Sequence, residues 1–118
     1  MPRRTWPERI ADIIESSQRI LEITRGLDYA AFVSDRTIRD AALYNIVIIG
    51  EAARYVPADI QARCPDVDWN SLKDMRNWVA HVYHAVSNRR VWSTITADLP
   101  EVIAQLQTLL ADETGSQG

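Results

Sequence analysis

Cysteine is almost absent from this chain of 118 residues, and basic residues are too few to outweigh the acidic ones. The single cysteine, Cys64, cannot form an intramolecular disulfide, which fits a reducing compartment. Thirteen basic and 16 acidic side chains give a formal net charge of -3. A protein that coats nucleic acid non-specifically is usually basic, because phosphate contacts supply most of that affinity. Any nucleic-acid role must therefore come from a local site.

Long apolar runs are also missing. A stretch such as 46–49 contains only four apolar residues, whereas a membrane-spanning helix needs about 20. The first residues include Arg3 and Arg4, but no apolar stretch follows them, so they do not form a signal peptide. We therefore expect a cytoplasmic protein without membrane contact. The length predicts one domain, which we place at residues 1–112. A frayed tail should follow at 113–118, because the end of the chain lacks apolar residues.

Helical periodicity is present along most of the sequence. Apolar residues at 3.6-residue spacing predict a first helix over about residues 8–25, with Gly26 as its C-terminal cap. Ser34 or Asp35 can cap a second helix, which ends before a short helical turn at residues 57–64 that Pro65 closes. No strand-like alternation occurs in the sequence. This pattern predicts the all-α fold class.

Two further long helices complete the predicted fold. Asp68 or Ser71 can cap the third, which should end between His81 and His84. Ser87 can cap the last helix, and the apolar face of that helix keeps its phase across Pro100. We therefore predict one long helix that is kinked at the proline, with the proline on the solvent side. The architecture is a bundle of four main helices plus one short helical turn.

The second helix is apolar on two sides. Ala42 and Ile49 lie on one stripe, and Leu43, Val47 and the small Gly50 lie roughly opposite. A helix with two apolar sides either occupies the centre of its bundle or packs against another subunit. Both alternatives are open from the sequence, and the second predicts a homodimer that uses the stripe around Leu43.

Three polar side chains lie on one strip of the third long helix. Asn77 and His81 are four residues apart and therefore stack, whereas Arg76 needs its length to reach the histidine. Arginine binds phosphate bidentately, and histidine moves protons near neutral pH. Such a set could cleave RNA without a metal. A ribose 2′-OH would attack the adjacent phosphorus while the histidine moves protons and the arginine holds the developing charge.

Spacing alone favours a solvated helix face over a catalytic one. His81 and His84 are a weak metal pair at their three-residue spacing, and the loop at 64–68 is an equally weak metal candidate. Asn45 lies on an apolar stripe, so it is either a hydrogen-bonded core amide or a wall of the site. Glu51 is most simply a surface carboxylate.

The motif and its surroundings resemble a known family. Arg76-Asn77-x-x-x-His81-x-Tyr83 resembles the R-x4-H-x-Y signature of HepT-type toxins, a branch of the HEPN superfamily. The stretch Asn-Ile-Val-Ile-Ile-Gly-Glu-Ala-Ala at 45–53 is similar to the motif on that family's second helix. Segments around residues 57–65, 69 and 92–100 match in order and spacing as well. The resemblance covers nearly the whole chain.

The resemblance implies a function that spacing alone does not. It implies a small helical homodimer that acts as a metal-independent ribonuclease toxin without a cofactor, with RNA as substrate and a minimal nucleotidyltransferase as antitoxin. Arg76 and His81 correspond to the family's catalytic pair, and Asn77 corresponds to the supporting polar residue after the arginine. With Asn45 they form the predicted site. Tyr83 corresponds to the tyrosine that the antitoxin modifies with adenylyl groups.

The loop signals at residues 84–87 predict that the helix ends first, so that the Tyr83 ring turns outward. In an unbroken helix its ring would point toward the apolar face near Val79, whereas a helix that ends earlier lets the ring turn outward beside His81. Two positions depart from the family pattern. His84 stands where an aromatic or small residue is more usual, and Ser87 stands where an acidic residue is common.

Two other functions remain open from the sequence. One is a non-catalytic helical subunit that pairs with a nucleotidyltransferase, and the other is a structural dimer without a site. The acidic composition favours both. Arg89 and Arg90, just beyond the motif, favour local phosphate binding and therefore the ribonuclease.

Overall fold

The computed structural model describes residues 5–82 and 87–116, and all regular structure in these ranges is helical. The predicted all-α class is therefore confirmed. The helices are Trp6–Ile23 (α1), Tyr29–Ser34 (α2), Arg36–Arg54 (α3), Ala58–Ala62 (α4), Trp69–Val82 (α5), Asn88–Ser93 (α6) and Leu99–Ser116 (α7). A π-helical turn, Thr94–Asp98, joins the last two helices. In the described part of the chain, no helix is both long and apolar enough to cross a membrane.

Side-chain caps begin three of the predicted helices. Asp35 and Asp68 each accept a hydrogen bond from the backbone N–H three residues ahead, and Ser87 does the same. The aspartate is thus the cap at both positions where Ser34 or Ser71 was the alternative. A cap of this kind satisfies one of the backbone N–H groups that the first helical turn leaves unpaired.

Helix α3 lies at the centre of the bundle, because it packs against α1 and against α5. Ala42 and Ile49 on its first stripe are fully buried. Leu43 and Gly50 on the second stripe are buried as well, within the same chain. The structure therefore supports the central-helix alternative for the stripe around Leu43, of which only Val47 is partly exposed. The periodicity alone could not distinguish a central helix from one that packs against another subunit.

Helix α2 is a short helix that the periodicity does not predict, and it follows a turn at Gly26. Gly26 adopts a φ of 78°, a left-handed conformation that glycine tolerates better than other residues. Asp28 then caps the short helix by accepting a hydrogen bond from Ala31 N–H. Phe32 is fully buried, with its ring 5.1 Å from that of Trp92. This contact between rings distant in sequence anchors α2 to α6.

The last long helix contains a π-helical turn just before the predicted kink. Leu99 N–H donates to the carbonyl of Thr94, five residues back. In a regular α-helix, the ring of Pro100 would collide with the carbonyl four residues before it, and the wider turn accommodates the ring. Pro100 is exposed, which confirms the predicted solvent side. The apolar face stays buried across the interruption: Val91, Ile95, Leu99, Val102, Ile103, Leu106 and Leu109.

The end of α7 extends beyond the predicted domain boundary at residue 112. Arg63 Nη1 donates to Glu113 Oε2 at 3.2 Å, and the same guanidinium lies 5.7 Å from the centre of the Trp6 ring. These contacts hold the helix against the start of α1 and the end of α4. The segment is therefore helical as far as Ser116, and its fraying, which is a motion, stays a prediction.

A candidate catalytic strip on helix α5

The buried side of α5 determines which residues it presents at the surface. Leu72, Met75 and Val79 are buried and hold the helix against the core, as the periodicity predicts. Asn77 is exposed, and about a third of the Arg76 side chain remains accessible. Two of the predicted site residues therefore lie on the accessible part of the helix.

The backbones of α3 and α5 come very close at Gly50. A Cβ at this position would lie 2.7 Å from Arg76 Cβ and 2.9 Å from the carbonyl oxygen of Leu72. Both distances are too short for any side chain, so this crossing requires glycine. The missing side chain thus brings the Arg76 backbone directly against α3.

Arg76 is held by polar side chains on both sides of its guanidinium. Its Nε lies 3.4 Å from Oε2 of Glu51, and its Nη1 donates to Asn77 Oδ1 at 3.4 Å. The same Glu51 oxygen lies 3.7 Å from Nη1 of Arg54. We call these four residues, in the order Arg54, Glu51, Arg76 and Asn77, the Arg76 row. Glu51 is thus a counter-ion of Arg76, a partnership that the sequence does not indicate.

His81 follows Arg76 by five residues on α5, which places it about 7.5 Å further along the helix axis. Its imidazole lies outside the described side chains, and Tyr83 and His84 lie outside the described residues. The position of the imidazole beside the guanidinium and the outward turn of the Tyr83 ring therefore stay predictions.

Asn45 is placed in the core. Its side chain is 6% exposed, and its Nδ2 donates to the carbonyl oxygen of Ala41 at 2.9 Å. The structure thus supports the first of the two alternatives, a hydrogen-bonded core amide. The Arg76 row does not include it.

The loop between α4 and α5 contains the residues that the sequence offered as a weak metal candidate, at positions 64–68. Burial raises the pKa of the Cys64 thiol, and the charge of Asp66 raises it further. Hydrogen bonds from Ser71, through its backbone N–H and then its hydroxyl, hold the pKa of Asp68 below its usual value. Among the side chains that the structure describes, no three His, Cys, Asp or Glu residues form a metal-binding group.

The arginines beyond the motif lie on α6, whose start is joined to α3. Arg39 Nε donates to Asn88 Oδ1, a contact between residues distant in sequence. The guanidinium of Arg89 lies 4.0 Å from the centre of the Tyr29 ring, a cation–π contact. Arg89 and Arg90 are both exposed.

Comparison with known proteins identifies the family. Residues 13–109, most of the chain, match the family described as Ribonuclease HepT-like. The chain belongs to this family of HepT-like ribonucleases. The resemblance drawn from the R-x4-H-x-Y signature is therefore confirmed. No solved structure matches the chain.

Several HepT-like relatives match over almost their full lengths. "Putative RNase MJ1380" of Methanocaldococcus jannaschii is 30% identical over 91% of this chain and 98% of its own. "Probable ribonuclease HepT" of Thermococcus cleftensis is 29% identical over 91% of this chain and 97% of its own. "Putative RNase TTE0752" of Caldanaerobacter subterraneus is 29% identical over 86% of this chain and 90% of its own.

In this HepT-like ribonuclease, the Arg76 row provides a local positive charge on an acidic protein. Two guanidinium groups and one carboxylate leave the row with one net positive charge, whereas the chain carries -3. Glu51 contacts Arg76 at Nε and Asn77 accepts a hydrogen bond from Nη1, so Nη2 is the guanidinium nitrogen for which the described residues show no partner. A planar guanidinium end is well suited to the oxygens of a phosphate group.

Proposed function

We propose that this chain is a metal-independent endoribonuclease toxin whose catalytic pair is Arg76 and His81. The main support is the placement of Arg76. The crossing at Gly50 holds it at the surface, and it lies five residues before a histidine on the same helix of a HepT-like ribonuclease. Asn77 supports the arginine by accepting a hydrogen bond from Nη1.

In the proposed reaction the nucleophile is the ribose 2′-OH of the RNA itself. Its oxygen attacks the adjacent phosphorus, and the bond to the 5′-oxygen of the next nucleotide breaks, which leaves a 2′,3′-cyclic phosphate and a 5′-OH. His81 transfers protons between these oxygens, and Arg76 stabilises the negative charge that develops on the phosphoryl oxygens. Because the substrate supplies the nucleophile, no step needs a metal-bound water.

We propose a homodimer as the active form, with a different surface from the one that the sequence predicted. Tyr44 on α3 is 68% exposed, and Ile48 beside it is only partly covered. Tyr44, Ile48 and Glu51 follow the helical spacing of one face, so this apolar patch borders the Arg76 row. A two-fold contact through the patch would place two copies of Arg76 near one RNA channel.

The proposed partner is a nucleotidyltransferase antitoxin that adds adenylyl groups to Tyr83. Tyr83 follows Val82, the last described residue of α5, and lies two residues after His81. An adenylyl group there would add bulk and negative charge beside Arg76. It would therefore compete with an RNA phosphate for the arginine and block the site.

The proposed activity is tested by incubating the purified chain with total RNA in the presence of EDTA. We expect the wild type to cleave and Arg76→Ala to lose roughly 10²–10³-fold in rate. Glu15→Ala is the control, because it breaks a comparable ion pair, 3.4 Å from Arg19 on α1. A wild type that leaves RNA intact would support the non-catalytic subunit instead. Loss of cleavage in EDTA, with recovery in zinc or manganese, would overturn the metal-free reaction.

A further inference from the structure

Two adjacent residues of α3 determine where the Arg76 guanidinium lies. Gly50 lets the α5 backbone approach, since any Cβ there would collide with Arg76 Cβ and with the Arg76 backbone nitrogen. Glu51, the next residue, then lies close enough for its carboxylate to contact Arg76 Nε at 3.4 Å. The glycine thus sets the distance between the helices, and the glutamate contacts the side chain that this distance brings near.

Glu51 contacts the Nε atom of Arg76, and this contact restrains the orientation of the guanidinium plane. Arginine has a long side chain with several rotatable bonds, and its guanidinium is a rigid planar fork. A carboxylate on Nε, together with Asn77 on Nη1, restrains the rotation of this plane. The Nη end of the fork is then already oriented when the reaction begins, so it needs little reorientation as negative charge develops on the phosphoryl oxygens.

Arg54 resolves the electrostatic conflict that this arrangement creates. A lone carboxylate next to a phosphate site would repel RNA, but the Glu51 carboxylate also has Arg54 Nη1 at 3.7 Å. Glu51 and Arg54 are three residues apart on one helix, a spacing that favours ion pairs. The Arg76 row can therefore hold its arginine with a carboxylate and still attract an anion.

We propose that Glu51 is a positioning residue for RNA cleavage, which orients Arg76 through Nε while Arg54 balances its charge. This inference rests on the ribonuclease activity proposed above. Half-exposed ion pairs contribute little to stability, so removal of Glu51 should leave the fold intact. Misorientation of a catalytic group, in contrast, can cost up to about 100-fold in rate. We expect Glu51→Ala to lower kcat roughly 10-fold or more and to change KM less than about threefold.

A double-mutant cycle separates positioning from a structural role. Lysine at position 76 keeps a positive charge but has no Nε fork for the carboxylate to orient. In the Arg76→Lys background, measured in single turnover with excess protein, Glu51→Ala should change the rate less than about twofold. Glu15→Ala, the matched ion-pair control on α1, should leave the rate unchanged in both backgrounds. An equal loss from Glu51→Ala in both backgrounds would overturn the positioning role.

A second measurement does not depend on cleavage. The Nε–H resonance of Arg76 can be followed by ¹⁵N NMR and assigned by its absence in Arg76→Lys. We expect it to shift in Glu51→Ala and to stay in place in Glu15→Ala. A resonance that does not respond to Glu51→Ala overturns the inference. If the wild type cleaves RNA and Glu51→Ala cleaves as fast as the Glu15→Ala control, the positioning role of Glu51 is excluded, whereas the proposed ribonuclease function stands. If the wild type does not cleave, the proposed function fails, and this inference fails with it.

Discussion

At the scale of single residues, the sequence identifies candidate catalytic residues but not the side chains that contact them. Arg76 and Asn77 can be found from the R-x4-H-x-Y signature because the motif is local. Glu51 could not be assigned, because its partner lies on another helix and no pattern in the sequence reveals that α3 and α5 cross at Gly50. The role of Asn45 could not be decided from the sequence either, because its burial and its hydrogen bond to Ala41 depend on the folded structure.

Substitution of Gly50 tests the helix crossing. In an ordinary helix, Gly→Ala is stabilising by about 0.5–1 kcal/mol. Here the new Cβ would meet the backbone of α5, which cannot move aside like a flexible side chain, so Gly50→Ala should destabilise by about 1–3 kcal/mol. Urea denaturation measures the change. Thr108→Ala at an exposed position of α7 is the control, and it should show the ordinary small gain. A stabilised Gly50→Ala would contradict the close approach.

Tyr83→Phe tests the proposed modification site. The hydroxyl is the group that would accept the adenylyl moiety, and bond cleavage does not use it, so this variant should keep ribonuclease activity and escape modification. Intact-mass spectrometry after incubation with the antitoxin and ATP provides the measurement. Tyr55→Phe, which removes an exposed hydroxyl outside the proposed site and interface, should still be modified. Adenylyl mass increments that persist on Tyr83→Phe would place the modification on another residue.

At the scale of helices, starts were predicted better than interruptions. A cap such as Asp35 or Ser87 acts within three residues, so a short window of sequence contains the cause. Helix α2 depends instead on the packing of Phe32 against Trp92, which are distant in sequence. The π-helical turn was missed for another reason. The proline signals a disturbance, but where the helix widens depends on packing along its whole buried face.

The cap at Asp68 makes the stability of α5 dependent on pH. Hydrogen bonds from Ser71 lower the pKa of Asp68 in the folded state, so the ionised carboxylate stabilises the fold above the unfolded-state pKa of aspartate. This stabilisation is lost as pH falls through the lowered folded-state value. At pH 7 we expect Asp68→Ala to cost about 1 kcal/mol of unfolding free energy. Denaturation curves should converge with wild type in acid. Asp66→Ala, in the same loop, is the control, and a cost independent of pH would contradict the charged cap.

At the scale of the whole molecule, the bundle explains how an acidic protein can present the locally positive Arg76 row at its surface. The central position of α3 buries two of its sides against α1 and α5, and the third side remains accessible next to the Arg76 row. One helix thus supports the core, positions the proposed catalytic arginine through Gly50 and Glu51, and offers an apolar patch around Tyr44. The sequence predicted a two-sided helix but not which side stays open, because that depends on where α5 packs.

The accessible side of α3 predicts how the molecule assembles. An exposed apolar patch that borders a site is typical of a protein interface, and a two-fold contact would pair Tyr44 and Ile48 with their own copies.

We expect a dimer in sedimentation equilibrium at micromolar concentration. Tyr44→Glu should shift it to monomer and reduce RNA cleavage, because two buried carboxylates would face each other across the axis. Tyr44 is largely exposed in one chain, so the monomer fold should survive. Val33→Glu, at an exposed apolar residue on α2, is the control and should remain dimeric. A wild type that sediments as a monomer, or a Tyr44→Glu variant that stays dimeric, would exclude this surface as the interface.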